Sequence, residues 1–374
     1  MRTEHRGQAR AAEGRSMDQA PVKDPEGAGR LARYDRALRR AGDFLRSRQN
    51  ADGSVTGAET VWGYYSQPLA FLGTGSTDDW RDANRCLDHL RDAFLEPDGK
   101  LRIDPFPLVG DLYPYPYVIR GATIWGRFDL AAPLTRALVR HQDDCGGFRY
   151  RVGDSRFIDP AVTPHGGVAL LMTGHIAEAE RAARFLVRVH DAQPDPANRY
   201  VMVWDTRAGG LLADYGGVDD TPWGAGSALL RDNPRGENAY WDVGFMMAFL
   251  CAVARVTGGR EYLRVARELF DLFRGYRGFE DHVWKTPWGA AALYQATGDT
   301  EARAAAIRMA DAIVAMQQPD GGFFLGAQSC YVDESNEGWS HAFRDYADLA
   351  ANVPILIDTA SQMAHYLAQV RAVI

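Results

Sequence analysis

A short glycine-rich turn that follows a helix-like segment recurs along this chain and constrains its fold more than any other feature. The clearest copy is QQPDGGF, at residues 317–323. Related copies lie at 49–55, 142–148 and, in weaker form, 95–100. In chain order, the first three copies contain Asp52, Asp98 and Asp144, which are separated by steps of 46 residues. A period of ~20–50 residues is typical of repeat architectures. We therefore predict a fold built from repeated helical pairs.

Helical periodicity predicts three hairpins, over residues 166–190, 242–273 and 287–316, each interrupted by a glycine. Glycine just past a helix end supplies the left-handed residue that a helix stop favours. The first helix of each pair is apolar nearly all round, which indicates burial. The second helix carries charges on one face and should lie outside. Alternating inner and outer helices predict an all-α fold, a single closed (α/α)6 toroid, that is, a barrel of about six hairpins.

Composition limits the function classes. We expect residues 29–374 to form one catalytic toroid domain and residues 1–28, which hold few large apolar residues, to be a disordered tail. The net charge of −7 gives no basic footprint for nucleic acid. Four cysteines without CxxC spacing argue against structural zinc and for a reducing, cytoplasmic location. We expect no membrane span, since no run approaches 18 apolar residues, and no cofactor, since phosphate and dinucleotide motifs are missing. A small-molecule substrate is the expected partner, and the oligomeric state stays open.

Long segments rich in aromatic and polar residues precede the predicted inner helices. Because inner helices run parallel, their N-terminal ends gather at one mouth of the ring. Long loops at such a place often carry function, so we predict a pocket at this mouth. The segments are 113–125, 160–166, 214–223, 237–242, 282–288 and 333–344.

The turn at 317–323 resembles the repeat motif of the terpenoid cyclase and protein prenyltransferase toroids, including the squalene–hopene cyclases. Residues 218–221, VDDT, resemble the end of the Asp-x-Asp-Asp-Thr acid motif of class II terpene cyclases, although Gly217 stands where that motif begins with Asp. This resemblance implies that Asp219 is the proton donor. The helical breaks and glycine turns of residues 30–374 are similar as architecture to sugar-acting α/α toroids, such as the N-acylglucosamine 2-epimerases and unsaturated-uronyl hydrolases.

Three residues are predicted to be catalytic. Paired carboxylates at Asp219 and Asp220 repel each other, so one proton can be held at neutral pH and used as a general acid. Their alternative role is to start a helix, Asp as a cap and Pro222 in the first turn. His165 precedes an inner helix, whose positive end would lower its pKa and leave a neutral base. Its alternative role is packing or capping.

A second set of residues is predicted to bind substrate. Arginine can clamp a carboxylate or phosphate, and tryptophan or tyrosine can stack on a ring or shield a cation. The alternatives are salt bridges and aromatic packing at the rim, and a helix cap for Asp242. The predicted substrate-binding residues are Arg120, Trp125, Tyr240, Trp241, Asp242, Lys285, Trp288, Glu337, Trp339 and His341.

We predict a cofactor-independent cyclase or isomerase that acts on a terpenoid or polyketide-like molecule of natural product biosynthesis by acid–base chemistry in an aromatic pocket. One alternative is a carbohydrate-active epimerase, hydrolase or lyase on the same fold, and another is a non-catalytic helical scaffold. The polarity of the pocket separates the first two. A sugar site needs carboxylates and arginine that converge on hydroxyls, whereas a terpenoid site needs mostly aromatic and aliphatic walls.

Replacing Asp219 by Asn tests its predicted role as the acid. If Asp219 donates the proton, turnover should fall by about 10²–10⁴-fold while the melting temperature stays normal, because Asn keeps the shape and removes the proton. If Asp219 only caps a helix, Asn serves nearly as well. Near-normal turnover of Asp219→Asn would therefore reject the catalytic role.

Overall fold

Six inner helical elements stand side by side around one axis, and outer helices cover them. The computed structural model describes residues 25–103, 110–150, 156–158, 161–212, 228–232, 240–326 and 343–374. The inner elements are α2 (Gln67–Ala70) with its flanking 3₁₀ turns (Val61–Gly63 and Phe71–Gly73), α4 (Pro114–Ile124), α6 (Val162–Met172), α8 (Tyr240–Thr257), α10 (Thr286–Thr297) and α13 (Val353–Arg371). The outer helices are α1 (Pro25–Arg48), α3 (Asp79–Phe94), α5 (Phe128–Arg140), α7 (Ile176–Asp191), α9 (Arg260–Arg274) and α11 (Thr300–Ala315). A short helix, α12 (Tyr346–Ala351), precedes α13.

The ring of inner elements is closed. Each inner element packs against the next in chain order, and α13 packs against both α10 and α2. Contacts between distant parts of the sequence also close the outer layer. The Tyr34 hydroxyl on α1 donates a hydrogen bond of 2.8 Å to Asp311 on α11, and Arg371 on α13 pairs with Asp35. The predicted single (α/α)6 toroid is confirmed.

The three predicted hairpins are present as α6–α7, α8–α9 and α10–α11. Gly174, Gly258 and Gly298 at their breaks have φ of 81°, 78° and 76°, a conformation that glycine adopts without steric cost. Helix α8 is long and apolar enough, by length and composition alone, to span a membrane, and 78% of it is buried within the protein. Its position as an inner helix accounts for that composition.

The described part of the chain also contains two small antiparallel sheets. One has the order β1 (Phe157–Ile158), β3 (Trp204–Asp205) and β4 (Gly210–Leu211), and the other pairs β2 (Arg199–Val201) with β5 (Ala228–Leu230). We did not predict these strands, because runs of two or three residues are too short to show an alternating pattern.

Three copies of the repeated turn each tie an outer helix to the following one through a glutamine side chain. The Gln317 amide donates to the carbonyl oxygen of Ala37 on α1, 2.9 Å away, and to the turn's own Gly321 at 3.1 Å. The corresponding acceptors are Glu178 on α7 for Gln142 (2.9 Å) and Asp82 on α3 for Gln49 (3.0 Å). The turn after α11 therefore joins α11 to α1 and completes the outer layer.

The glycine of the turn is required by a close approach of the backbone. Gly321 has a φ of 99°, and a Cβ atom there would lie 2.3 Å from the carbonyl oxygen of Arg40 on α1. Gly146 has the same φ, and its Cβ would lie 2.4 Å from the carbonyl oxygen of Arg181 on α7. Any larger residue would push the turn away from the neighbouring outer helix.

The structure corrects the alignment of the third copy. Asp320 accepts from the Gly322 amide at 3.0 Å, and Asp52 and Asp98 make the same contact in their turns. In the third copy Cys145 occupies this position, and Asp143 accepts from the Cys145 amide at 2.9 Å. Asp144 is therefore not equivalent to the other aspartates, and its regular spacing from them is coincidental.

Helix α1 begins at Pro25, so residues 25–28, which we assigned to the tail, are helical. Proline at the first helical position and Glu26 in the first turn favour a helix start. Arg30 pairs with Glu26 one turn earlier, at 2.9 Å.

We predict that Gly321→Ala lowers the free energy of unfolding by about 3 kcal/mol or more, because the methyl group meets the Arg40 carbonyl. Gly174→Ala is the matched control, since Gly174 has a similar φ and no neighbouring atom within 4 Å. The control should cost only the roughly 1–2 kcal/mol of a left-handed backbone. Urea denaturation of both variants measures the difference, and equal losses would contradict the proposed close approach.

Candidate active site

The Arg120 side chain lies at the centre of the ring and is almost fully buried, with 4% of its surface exposed. Its Nη1 is 2.7 Å from Nε2 of His165 on α6, and its Nη2 is 2.9 Å from Nε2 of His365 on α13. The guanidinium also lies over the indole of Trp288 on α10, 4.6 Å from the ring centroid. Four inner helices thus meet at one side chain of α4.

Both histidines flanking Arg120 are neutral. A guanidinium can only donate hydrogen bonds, so each Nε2 must accept and each ring carries its proton on Nδ1. Burial, reinforced by the charges of Arg120, His365 and Lys285, holds the pKa of His165 well below 6.5. Burial and the charge of Arg120 also hold the pKa of His365 well below 6.5. Burial lowers the pKa of Arg120 to about 10, so it stays positive at neutral pH.

The Nδ1 atoms of His165 and His365 are buried and have no hydrogen-bond partner among the residues that the structure describes. A buried donor without a partner costs ~1–3 kcal/mol. Such atoms at the centre of a ring are suited to a bound ligand that supplies acceptors. The two rings are held in place by aromatic contacts, since His165 stacks on Phe245 with the centroids 4.6 Å apart.

A hydrogen-bonded network lies beside the Arg120 cluster and centres on Gln362 of α13. The Gln362 carbonyl oxygen accepts from the hydroxyls of Tyr366 (2.7 Å) and Tyr117 (3.0 Å). Its amide nitrogen donates to Asp358 at 2.8 Å and to the Tyr65 hydroxyl at 3.0 Å. This network joins α4, α13 and the segment before α2, and it supplies the mouth with hydroxyls and one carboxylate.

Asp358 is partly exposed and lies one turn closer to the mouth than Gln362. It accepts from the Ser66 hydroxyl at 2.7 Å. Burial raises its pKa, while the hydrogen bonds from Gln362 and Ser66 and the charge of Lys285 act in the opposite direction. Within the described residues, no group of three or more His, Cys, Asp or Glu side chains is placed to hold a metal ion.

Lys285 precedes α10 and is 2% exposed. Its Nζ lies 4.7 Å from the ring centroid of Trp284, 5.6 Å from that of Phe245 and 5.9 Å from that of Tyr113. Burial lowers its pKa to about 8, and the negative charges of Asp358 and Asp242 oppose this shift.

The structure brings several of the predicted site residues together. His165, Arg120 and Trp288 contact one another at the axis, and Lys285 faces the same space. Asp242 in the first turn of α8 is buried and interacts electrostatically with Lys285. Trp241 beside it keeps 8% exposure, and its ring centroid is 5.8 Å from that of His282.

Two predicted site residues lie elsewhere. Trp125 caps the C-terminal end of α4, the end opposite the mouth, and its indole donates to the Pro68 carbonyl at 2.7 Å. Tyr240 packs outward against Phe273 and Phe279 and donates to the Arg277 carbonyl at 2.7 Å. Both residues stabilise contacts between helices, which corrects their assignment to the pocket.

The remaining predicted residues lie outside the described part of the chain. They are Asp219, Asp220, Glu337, Trp339 and His341. The predicted mouth segment 214–223 and residues 333–342 of the predicted segment 333–344 fall in the same undescribed ranges. Their roles stay predictions.

Residues of α13 were missed by the sequence analysis. They are Asp358, Gln362, His365 and Tyr366. The signal was available, because these polar residues recur at i, i+4, i+7 and i+8, which places them on one face of a helix. A polar face on an inner helix contradicts the expectation of inner helices that are apolar all round.

The structure resembles several solved structures of enzymes. A D-mannose isomerase matches with a TM-score of 0.62 and 12% identity, over 96% of this chain and 100% of that chain. The type II terpene cyclase MstE from Scytonema matches with a TM-score of 0.52 and 14% identity, over 92% and 99%. A family 76 glycoside hydrolase from a bovine Bacteroides thetaiotaomicron strain matches with a TM-score of 0.57 and 11% identity, over 90% and 76%. No protein-family model and no curated protein matches the chain. These likenesses show the fold, and the chain is an α/α toroid.

The neutral histidines predict a pH dependence of stability. Below pH 6.5 the unfolded chain takes up a proton at His365 that the folded chain resists, so stability falls as the pH falls. His365→Gln should remove up to ~1.4 kcal/mol per pH unit from this slope below pH 6.5. Chemical denaturation between pH 8 and pH 5 measures it. The control His175→Gln, in the half-exposed α6–α7 turn, measures the effect of a histidine-to-glutamine change outside the Arg120 cluster. Parallel curves for His365→Gln and the unmodified chain would contradict the neutral buried state.

Proposed function

We propose that this chain is a cofactor-independent isomerase or epimerase of a small polyhydroxylated carbonyl compound, such as a sugar. The observation that carries the proposal is Arg120 held between two neutral buried histidines at the axis of the ring, at 2.7 Å and 2.9 Å. Each histidine has one protonated and one unprotonated nitrogen, so the pair can supply an acid and a base.

The chemistry follows from these groups. When an Arg120 N–H turns from an imidazole Nε2 to the substrate carbonyl oxygen, the released Nε2 removes a proton from the carbon next to that carbonyl, and negative charge develops on the oxygen. Arg120 stabilises that charge, and in a buried site the stabilisation is large. Return of a proton to the neighbouring carbon interconverts aldehyde and ketone, whereas return to the opposite face inverts the configuration. Both outcomes conserve all atoms and need no redox partner.

The polarity of the site favours a hydroxyl-rich substrate. Arg120, Asp358, Gln362 and the tyrosine hydroxyls provide donors and acceptors around the axis. An apolar substrate would leave the buried Nδ1 atoms of His165 and His365 without acceptors, which costs free energy. The similarity in fold to a D-mannose isomerase is consistent with this substrate class.

A cyclase of terpenoid or polyketide-like substrates is the second candidate, and the aromatic walls favour it. Trp62, Tyr113, Phe245, Trp284 and Trp288 keep their rings around the site. Aromatic faces stabilise cations, and the acid would be Asp219. The similarity in fold to the Scytonema terpene cyclase is consistent with this function.

Solvent deuterium exchange tests the isomerase proposal. Incubation with D-mannose and other hexoses in D2O should replace the hydrogen next to the carbonyl, as followed by loss of its NMR signal. His165→Gln and His365→Gln should each slow the exchange by about 10²–10⁴-fold, because they remove the acid–base groups. His175→Gln is the matched control and should exchange at the normal rate.

The variant Asp219→Asn distinguishes the isomerase from the cyclase. An isomerase that depends on His165 and His365 retains exchange in this variant. If no sugar exchanges, and a polyene substrate is cyclised in a reaction that Asp219→Asn abolishes, the isomerase proposal is wrong and the cyclase is supported.

A further inference from the structure

Lysine is rare in this chain, and one of its few copies lies inside the ring. The sequence has lysine at only three positions, 23, 100 and 285, against 39 arginines. Lys100 lies on the surface in a repeat turn and pairs with Asp98 at 2.6 Å. Arginine stays protonated in proteins, whereas a buried lysine can lose its proton and react. The primary amine of the buried Lys285 therefore provides chemistry that an arginine at this position could not provide.

The backbone at Lys285 is held in an unusual conformation. Its φ is 59° and its ψ is −31°, and it is the one non-glycine residue with positive φ in the described part of the chain. Such a conformation costs ~1–3 kcal/mol and persists only where the surroundings enforce it. Helix α8 supplies that constraint, because a Cβ atom on Gly244 would lie 2.4 Å from the carbonyl carbon of Lys285. The backbone of Lys285, the residue that carries the amine, is therefore strained.

The surroundings of the amine favour its unprotonated form. Aromatic rings of Trp284, Phe245 and Tyr113 lie within 6 Å and keep water away. Lysine desolvated in an apolar pocket, or placed near another cation, is activated as a nucleophile. Burial lowers the pKa of Lys285 to about 8, so a useful fraction of the amine is neutral near neutral pH.

Lys285 and the acid–base pair share one wall of the site. His165 stacks on the Phe245 ring, and the Lys285 Nζ lies 5.6 Å from the centroid of the same ring. A substrate carbonyl reached by the amine would therefore have its neighbouring carbon on the side of the histidines.

We propose that Lys285 is a nucleophile that captures the substrate carbonyl carbon as an imine. The proposal rests on the proposed function, since it requires a carbonyl substrate. The neutral amine attacks the carbonyl carbon, a C–N bond forms and the π electron pair moves to oxygen. Two protons then leave the nitrogen for that oxygen, the C–O bond breaks and water departs. Protonation of the imine nitrogen gives an iminium, and hydrolysis by one water restores the lysine and the carbonyl.

The iminium assists proton removal by the histidines. Its positive nitrogen withdraws electrons from the adjacent C–H bond, so a neutral imidazole can remove that proton more easily. Arg120 would then hold the neighbouring hydroxyl oxygen. The role of Lys285 is covalent, which distinguishes it from simple binding of an anion.

Reductive trapping tests the proposal with the full chain. The protein is incubated at pH 7 with glycolaldehyde and sodium cyanoborohydride, which reduces an imine to a stable secondary amine. Peptide mass spectrometry then compares Lys285 with Lys100, which serves as an internal control. We expect Lys285 to be labelled at least about tenfold faster than Lys100, because aromatic rings desolvate the Lys285 amine, whereas Lys100 pairs with Asp98. Equal or slower labelling of Lys285 would overturn the proposal.

Two variants complete the test. Lys285→Arg keeps the charge and cannot form an imine, so it should lose both the label and the deuterium exchange with sugars. Lys100→Arg should keep both. If the unmodified chain and Lys285→Arg exchange deuterium at equal rates, the imine proposal fails while the proposed isomerase function stands. If the unmodified chain shows no exchange with any sugar, the isomerase function itself fails.

Discussion

The contact between each glycine turn and the following outer helix holds the ring together. A turn without a side chain at Gly321 reaches the backbone of α1, and the Gln317 amide fixes that approach with a hydrogen bond to Ala37. The same contact recurs after α1 and α5. These contacts join α11 to α1, α1 to α3 and α5 to α7, and they support the closed circle in which the inner elements pack against one another.

The cluster of Arg120, His165 and His365 depends on the closed ring. Arg120 on α4 needs partners from both sides of the ring, and His165 and His365 come from helices that are 200 residues apart in sequence. In an open solenoid water would reach both imidazoles, and their pKa values would lose the lowering that burial provides. The closed ring buries the three side chains together and thereby lowers the pKa of each.

Structural features that depend on a few neighbouring residues could be predicted from the sequence. A glycine after a helix, an apolar inner helix and a charged outer helix are each visible within about ten residues, so the hairpins and the toroid were predictable. His165 and Lys285 were found because they immediately precede or begin inner helices. Trp125 was predicted to line the pocket because it lies close to Arg120 in sequence. It caps the C-terminal end of α4, which is the end opposite the mouth. The pocket assignment also failed for Tyr240, whose neighbour Trp241 points in a different direction on the helix. The polar residues of α13 were not predicted, because no glycine break marks α13 as one helix of a hairpin.

The pairing of α1 with α11 and α13 has a consequence for biosynthesis. Helix α1 finds these partners 277 and 336 residues later in the chain, as the contacts of Tyr34 with Asp311 and of Arg371 with Asp35 show. At a synthesis rate of ~5–20 residues per second, α1 waits on the order of tens of seconds after leaving the ribosome before these partners exist. During that interval its apolar face has to be shielded by earlier hairpins or by a chaperone. The charged residues that dominate the other face of α1 would keep the nascent chain in solution meanwhile.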